Sequence, residues 1–253
     1  MNNALITGTS RGLGRGIAEE FLARGYRIYG LSRSGEAFAE QVKHENCDLT
    51  DFQKIPACLD QLLDGVENLQ VVILNAGILG DIKPMQENSV DELHRIMDIN
   101  VWSNKVILDY LLNSPIKVDQ VLLMSSGAAV LGNKGWGGYA LSKAALNMLA
   151  KLYAHEFSNT HICAIAPGLI DTDMMTYLTD NADSKAFPAL KRLKAARGTE
   201  AMQSPRQAGQ RIFEALKPLR GFESGSFVDL RQIFAPEQYA ELMKNWSKAN
   251  QPS

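Results

Sequence analysis

Five short runs of mostly apolar residues recur along the chain: Ala4–Thr7, Tyr26–Leu31, Val71–Leu74, Val118–Met124 and His161–Ala166. A strand covered on one face alternates apolar with polar side chains, whereas runs as continuous as these imply burial on both faces, the signature of a parallel sheet. Helical stretches lie between them. The first spans Leu13 to Arg24, with Ile17, Ala18, Phe21 and Leu22 at helical spacing and Gly25 where a C-terminal cap belongs. A second spans Asp51 to Leu63, after a weak strand ending near Cys47, and a third runs from Gly137 through Ala150. The order β-α-β-α predicts an α/β fold, a doubly wound parallel sheet with helices on both faces. No repeat or linker-like tract divides the chain, so residues 1–253 are expected to form a single domain.

Composition narrows the function classes. With 45% apolar residues, 21% charged residues and a formal net charge of −2, the chain is neither a disordered segment nor a polybasic binder of nucleic acid or membranes. Cys47, Cys58 and Cys163 form no C-x-x-C or Cys/His cluster, which argues against a disulfide framework and against a metal site. No run approaches the ~18 to 20 apolar residues of a membrane span, and Met1-Asn2-Asn3 lacks the basic start of a secretory signal. The expected setting is cytoplasmic.

The first strand runs into Thr7-Gly8-Thr9-Ser10-Arg11-Gly12-Leu13-Gly14 and then a helix. In that context backbone N–H groups and the helix N-terminus can cradle a pyrophosphate. Gly8 would permit the tight turn, Gly12 the approach of phosphate, and Gly14 the packing of helix on strand. The G-x-x-x-G-x-G spacing differs from G-x-G-x-x-G, and a glycine-rich turn can also be only a turn. Further on, Tyr139 and Lys143 stand four residues apart on one helical face. A free tyrosine, with a pKa of about 10, is a poor acid at neutral pH, and a neighbouring ammonium favours its phenolate. The pair could equally be an ordinary surface contact. Ser125 and Ser126 end a buried strand at the carboxyl edge of the sheet, where ligands bind in such folds, and a serine there could donate to a substrate oxygen.

The segment from Asp171 to Gln203 is long and carries Met174, Met175, Tyr177, Leu178 and Phe187 with a basic cluster of Lys185, Lys191, Arg192, Lys194 and Arg197. It is either a lid over a site or a helical insertion on the surface, its charges forming a solvated helix face.

Together these residues resemble the classical short-chain dehydrogenase/reductase family, over most of the chain. Thr7 to Gly14 matches the family's T-G-x-x-x-G-x-G motif, and Asn75-Ala76-Gly77 its N-A-G element. Asn100 matches the catalytic asparagine, and Ser126 lies thirteen residues before Tyr139, as the catalytic serine does. Pro167-Gly168 followed by Thr172 matches the P-G-x-x-x-T segment. The late V-D-G-G element is altered and reads Val228-Asp229-Leu230-Arg231.

The resemblance implies a Rossmann-type domain that moves hydride between a nicotinamide cofactor and a carbonyl carbon. Tyr139 would protonate the carbonyl oxygen, Ser126 would hydrogen-bond it, Lys143 would hold the nicotinamide ribose and lower the Tyr139 pKa, and Asn100 would hold a relay water. The cofactor would lie along Gly8, Ser10, Arg11, Gly12, Leu13, Gly14, Ser32, Arg33, Asp48, Leu49, Asn75, Ala76, Gly77, Tyr139, Lys143, Pro167, Gly168, Ile170 and Thr172. The second strand ends in Leu31-Ser32-Arg33 with no carboxylate for a ribose 2′-hydroxyl. Arg33 and Arg11 could instead pair with a 2′-phosphate, which favours NADP(H). Asp48 resembles the adenine-contacting aspartate, with a helix N-cap as the competing role.

Ser125 to Ala128, Lys134 to Tyr139 and Glu223 to Asp229 are similar to the subgroup containing sepiapterin and benzil reductases. The expected substrate is an aromatic ketone or vicinal dicarbonyl, bound by Ser126, Trp136, Tyr139, Met174 and Asp229. Each of the last group has an alternative: Trp136 and Met174 as packing residues, Asp229 as a structural one. A dehydrogenase working in the oxidative direction and a cofactor-binding sensor without turnover are the rival readings. The resemblance also implies a homodimer or homotetramer, packed through the helix of Tyr139.

Overall fold

The computed structural model describes residues 1–181 and 185–249. Seven strands, β1 (Asn2–Thr7), β2 (Tyr26–Ser32), β3 (Val42–Asn46), β4 (Val71–Leu74), β5 (Gln120–Met124), β6 (His161–Ala166) and β7 (Ser226–Asp229), form the central sheet. Its order is β7-β6-β5-β4-β1-β2-β3, and every pairing is parallel. The chain builds outward from β1 to β3, then returns to β4 on the other side of β1. The junction of β1 and β4 is therefore the point where strand order reverses and a crevice opens at the carboxyl ends.

Alternate residues of the central strands feed two separate cores. Leu5, Val72, Leu74, Val121 and Leu123 pack with Ile55, Leu59, Ile107, Leu108 and Leu146 on one face. Ala4, Ile6, Val71, Ile73 and Leu122 pack with Ile17, Phe21, Ile212 and Leu219 on the other. Each fully buried Leu, Ile, Val or Phe contributes about 1.5–3 kcal/mol of apolar burial, so neither face of these strands can be given to solvent. The first face is covered by α2 (Ile55–Leu62), α4 (Ser103–Asn113) and α6 (Gly137–Glu156), with α3 (Val90–Met97) and the short α5 (Ala128–Leu131) packed against α6. The second is covered by α1 (Gly12–Ala23) and α9 (Pro205–Leu219). Between β6 and α9 run α7 (Asp173–Thr176) and α8 (Ala189–Ala196); after β7 come α10 (Arg231–Phe234) and α11 (Pro236–Ala249).

The structure departs from the sequence pattern at several points. The helix expected from Asp51 begins at Ile55, because residues 51–54 form a turn closed by a Lys54–Asp51 ion pair and Pro56 suits a first helical turn. The run Val118–Met124 is divided at Asp119: Lys117–Val118 pairs with Asn68–Leu69 in a separate small ladder. The strand β7 was not expected, since its four residues carry too short a pattern to stand out. Between α3 and α4, residues Asp98–Trp102 form a π-helical turn that makes the two helices one interrupted rod. Ser103 Oγ donates to the Ile99 carbonyl and Asn104 Nδ2 to that of Asn100, occupying backbone acceptors that the wider turn frees.

Helices α1 and α9 touch through glycines. A Cβ on Gly16 would lie 2.3 Å from the Pro205 carbonyl, and one on Gly209 would lie 2.6 Å from the Gly16 oxygen. A mid-helix glycine costs roughly 0.5–1 kcal/mol relative to alanine, so here close approach outweighs propensity. Gly16→Ala is expected to destabilise the fold by about 1–3 kcal/mol. That lowers the melting temperature by roughly 2–4 °C per kcal/mol for a chain of about this size. A thermal melt matching the parent would show that the helices can separate freely.

Candidate active site

A cleft of about 1370 Å³ runs along the carboxyl edge of the sheet. Its floor is built by one clasp. The fully buried Thr7 hydroxyl, at the end of β1, accepts hydrogen bonds from the N–H groups of Asn75 (2.9 Å) and Ala76 (3.0 Å), while Asn75 Nδ2 donates to the Thr7 carbonyl. The glycine loop sits on this clasp: a Cβ on Gly14 would lie 2.1 Å from the Gly8 oxygen and 2.5 Å from Asn75 Nδ2. No side chain caps the N-terminus of α1, where Gly12, Leu13 and Gly14 line the cleft. Its first N–H groups are therefore left for an anion, and the residues present fit a dinucleotide's phosphates.

At one end, Ser32, Arg33, Asp48 and Leu49 line the cleft with Ser34 and Cys47, which the sequence did not mark as site residues. Asp48 is not an N-cap. Its Oδ1 accepts from the Thr50 N–H and hydroxyl, which hold the carboxyl below its usual range, with Arg33 a smaller contributor. Ser32 Oγ hydrogen-bonds His44 Nε2 at 2.8 Å, and burial lowers the His44 pKa. Arg11 does not lean toward Arg33; it reaches Asp173 in α7 at 2.7 Å.

At the other end lie Pro167, Gly168, Ile170 and Thr172. Thr172 caps α7, its hydroxyl accepting from the Met175 N–H. Leu169–Ile170 pairs with Met202–Gln203, and Gln203 Nε2 donates to the Pro167 carbonyl. Gln203 thus joins the cleft through tertiary pairing that no local motif signals.

Between the two ends stand Ser126, Tyr139 and Lys143, the serine following β5 and the other two on α6. Lys143 is buried; its Nζ donates to the Met124 carbonyl at 2.7 Å and lies 5.5 Å from the centre of the Tyr139 ring. Burial pulls the ammonium down to about 8. The sequence reading had Lys143 lowering the tyrosine. In the protein alone desolvation wins and raises the Tyr139 pKa, with a hydrogen bond involving Ser126 opposing it.

Asn100 lies outside the cleft lining. Fully buried in the π turn, its Oδ1 accepts from the Ile78 N–H (2.8 Å), and its Nδ2 donates to the Ile78 carbonyl and to Ser142 Oγ (both 2.9 Å). These bonds tie the segment after β4 to α6 next to Lys143.

Trp136 and Met174 line the cleft, the Trp136 ring 6.2 Å from that of Tyr139. Both pack with Leu79, Met175, Leu178, Phe187, Leu190 and Leu193 in one apolar cluster, which Tyr139 also touches. Residues 182–184 of the stretch 171–203 lie outside the described residues. Asp229 also borders the cleft, but both its oxygens are taken by Arg231: Oδ1 accepts from the Arg231 N–H and Nε, Oδ2 from Nη2. Among the described residues no group of His, Cys, Asp or Glu could hold a metal ion, and no helix is long and apolar enough to cross a membrane.

Residues 2–183 match the family model described as short chain dehydrogenase. The chain belongs to that family. It is thus an oxidoreductase of a family that works on nicotinamide cofactors. A benzil reductase ((S)-benzoin forming) from Bacillus subtilis is 27% identical over 90% of this chain and 98% of its own. A second protein of that description, from Saccharomyces cerevisiae, is 28% identical over 80% and 85%. The crystal structure of a Saccharomyces cerevisiae short-chain dehydrogenase/reductase superposes with a TM-score of 0.79 at 23% identity, covering 91% of this chain and 96% of that one.

Because Lys143 loses its proton near pH 8 when folded and near its ordinary, higher value when unfolded, the unfolded chain binds more protons between those limits. Stability contributed by this group therefore rises with pH there. In the oxidoreductase without cofactor, Lys143→Met is expected to remove that rise. The stability of the variant relative to the parent falls by on the order of 2 kcal/mol from pH 7 to 10. Denaturant melts at the two pH values would test this; parallel curves would rule out a buried, depressed lysine.

Proposed function

We propose that this oxidoreductase uses NADPH to reduce an aromatic ketone or vicinal dicarbonyl to an alcohol. The observation that carries the reading is the convergence of Ser126, Tyr139 and Lys143 on one cleft continuous with the glycine loop. When bound, the reduced nicotinamide supplies the hydride. The phenol of Tyr139 gives its proton to the carbonyl oxygen as that oxygen gains charge, and the Ser126 hydroxyl donates a hydrogen bond to the same atom. Lys143, anchored on the Met124 carbonyl, keeps donors for the ribose hydroxyls and stabilises the phenolate left behind. Asn100 acts through its neighbours, fixing Ile78 and Ser142 so that α6 presents Lys143 to the cleft.

Pro167, Gly168, Ile170 and Thr172 would hold the nicotinamide end, and Ser32, Arg33, Asp48 and Leu49 the adenosine. Preference for NADP(H) is supported by Arg33 and by the lack of a carboxylate at the end of β2. Arg11 can join it, because its pair with Asp173 is exposed on both sides and surface pairs of that kind contribute about 0–1 kcal/mol, little enough for a phosphate to displace. The aromatic substrate is supported by the Trp136 and Met174 wall and by the names of the benzil reductase relatives. A dimer or tetramer packed through α6 is supported by Leu141, Met148 and Leu152, which that helix leaves exposed.

NADPH consumption with benzil and a simple aromatic ketone tests the reaction. Tyr139→Phe is expected to lower kcat by about 10²–10⁴-fold while the NADPH affinity stays within a few-fold; turnover near the parent level would remove Tyr139 as the proton donor. Arg33→Asp is expected to move the preference from NADPH toward NADH by at least an order of magnitude, the effect of replacing a charge-assisted contact with repulsion. An unchanged ratio of the two specificity constants would overturn the cofactor assignment.

A further inference from the structure

Two oddities of the sequence meet in the cleft. Of the five basic side chains carried by residues 171–203, Arg192 is the one that lines it; Arg197 instead bonds Thr179 and Asp180. Arg231, in the element that departs from the family's V-D-G-G pattern, lines it from the start of α10. The carboxylate of Asp229 grips Arg231 through Nε and Nη2, which fixes the plane of the guanidinium and leaves Nη1 without a bond among the described residues.

The Arg192 side chain has no ion pair or hydrogen bond among the described residues, and the neighbouring charge that acts on it is that of Arg231. Desolvation and that repulsion both pull the Arg192 pKa below its ordinary value. Glu200 and Glu241 border the cleft as well, yet neither lies within ion-pair distance of either arginine. The Asp229 carboxylate is thus spent on Arg231, and Arg211, which also lines the cleft, lies over the Phe234 ring, whereas the Arg192 guanidinium lines the cleft with no carboxylate within ion-pair distance among the described residues. Arg192 belongs to α8, whose Leu193 joins Met174 in the apolar wall.

We propose that Arg192 and Arg231 form a subsite for a carboxylate, so that the carbonyl substrate of this oxidoreductase is an aromatic keto acid whose anionic group points toward α8 and α10. The inference rests on the reductase reading of the same cleft. The planar fork of Arg192, which no carboxylate of the described residues engages, suits two-point binding of a carboxylate. Placement of the subsite partly on α8 also means that the helix and the substrate's charge hold one another in position.

The test compares 4-acetylbenzoate with its methyl ester, a pair that differs in one charge, using NADPH and both the parent and Arg192→Met. The parent is expected to favour the acid by about tenfold in kcat/KM, chiefly through KM. The preference shrinks as ionic strength rises and disappears in Arg192→Met and Arg192→Glu. An acid no better than its ester, or a preference that survives both variants, overturns the subsite. If neither compound is reduced, calorimetric titration of 4-acetylbenzoate into the NADPH-saturated protein separates the two ideas. Binding by the parent that is lost in Arg192→Met keeps the subsite and rejects the reaction, whereas no binding rejects the subsite.

Discussion

A single buried hydroxyl organises the cleft. Thr7 takes two backbone hydrogen bonds from the Asn75–Ala76 peptide units, joining the ends of β1 and β4 where the strand order reverses. Without that clasp the two strand ends could splay, and the glycine loop would lose the surface against which Gly14 is packed. The arrangement also gives partners to two partly buried backbone donors. Everything downstream inherits its position from this point: Gly77 lies against Asn100, Asn100 holds Ser142, and one residue further along α6 stands Lys143.

Much of this was legible in the sequence because it is local. The doubly wound sheet follows from runs such as Val71–Leu74, whose four residues are buried on both faces. The turn at Gly25 follows from its left-handed backbone, φ +80°, which few other residues adopt. What was not legible depends on partners distant in the chain. Nothing near Arg11 announces Asp173, 162 residues away. Gln203 enters the cleft only because its strand pairs with Leu169–Ile170. The Asp229–Arg231 pair is local, yet its direction could not be read: the same carboxylate with a different neighbour would face a ligand, and here it faces a guanidinium. Asn100 shows the same ambiguity, since a carboxamide that bonds backbone and side chain on three sides looks, in sequence, like one that faces solvent.

The cleft is also where the fold gives up stability. Lys143 is a charged group with almost no solvent contact and one backbone acceptor, and Trp136 Nε1 and Gln203 Oε1 are buried without partners among the described residues. The clusters on the two faces of the sheet are built of apolar side chains. Polar groups held out of water in this way gain most from an arriving ligand, because their interactions with it are not weakened by competing solvent.

The π turn at Asp98–Trp102 has a consequence for how this stretch can vary. Each residue of an α-helix advances the phase by about 100°. The wider turn therefore sets the rotation of α4 relative to α3, and with it the inward aim of Ile107, Leu108 and Leu111. A π turn takes up one residue more than an α turn over nearly the same rotation. Loss of one residue here would let the turn close to α geometry with those side chains still facing the core, whereas loss of one from the start of α4 itself would turn them by about 100°. The turn therefore holds the rod's slack in length, and what that extra residue secures is the inward carboxamide of Asn100.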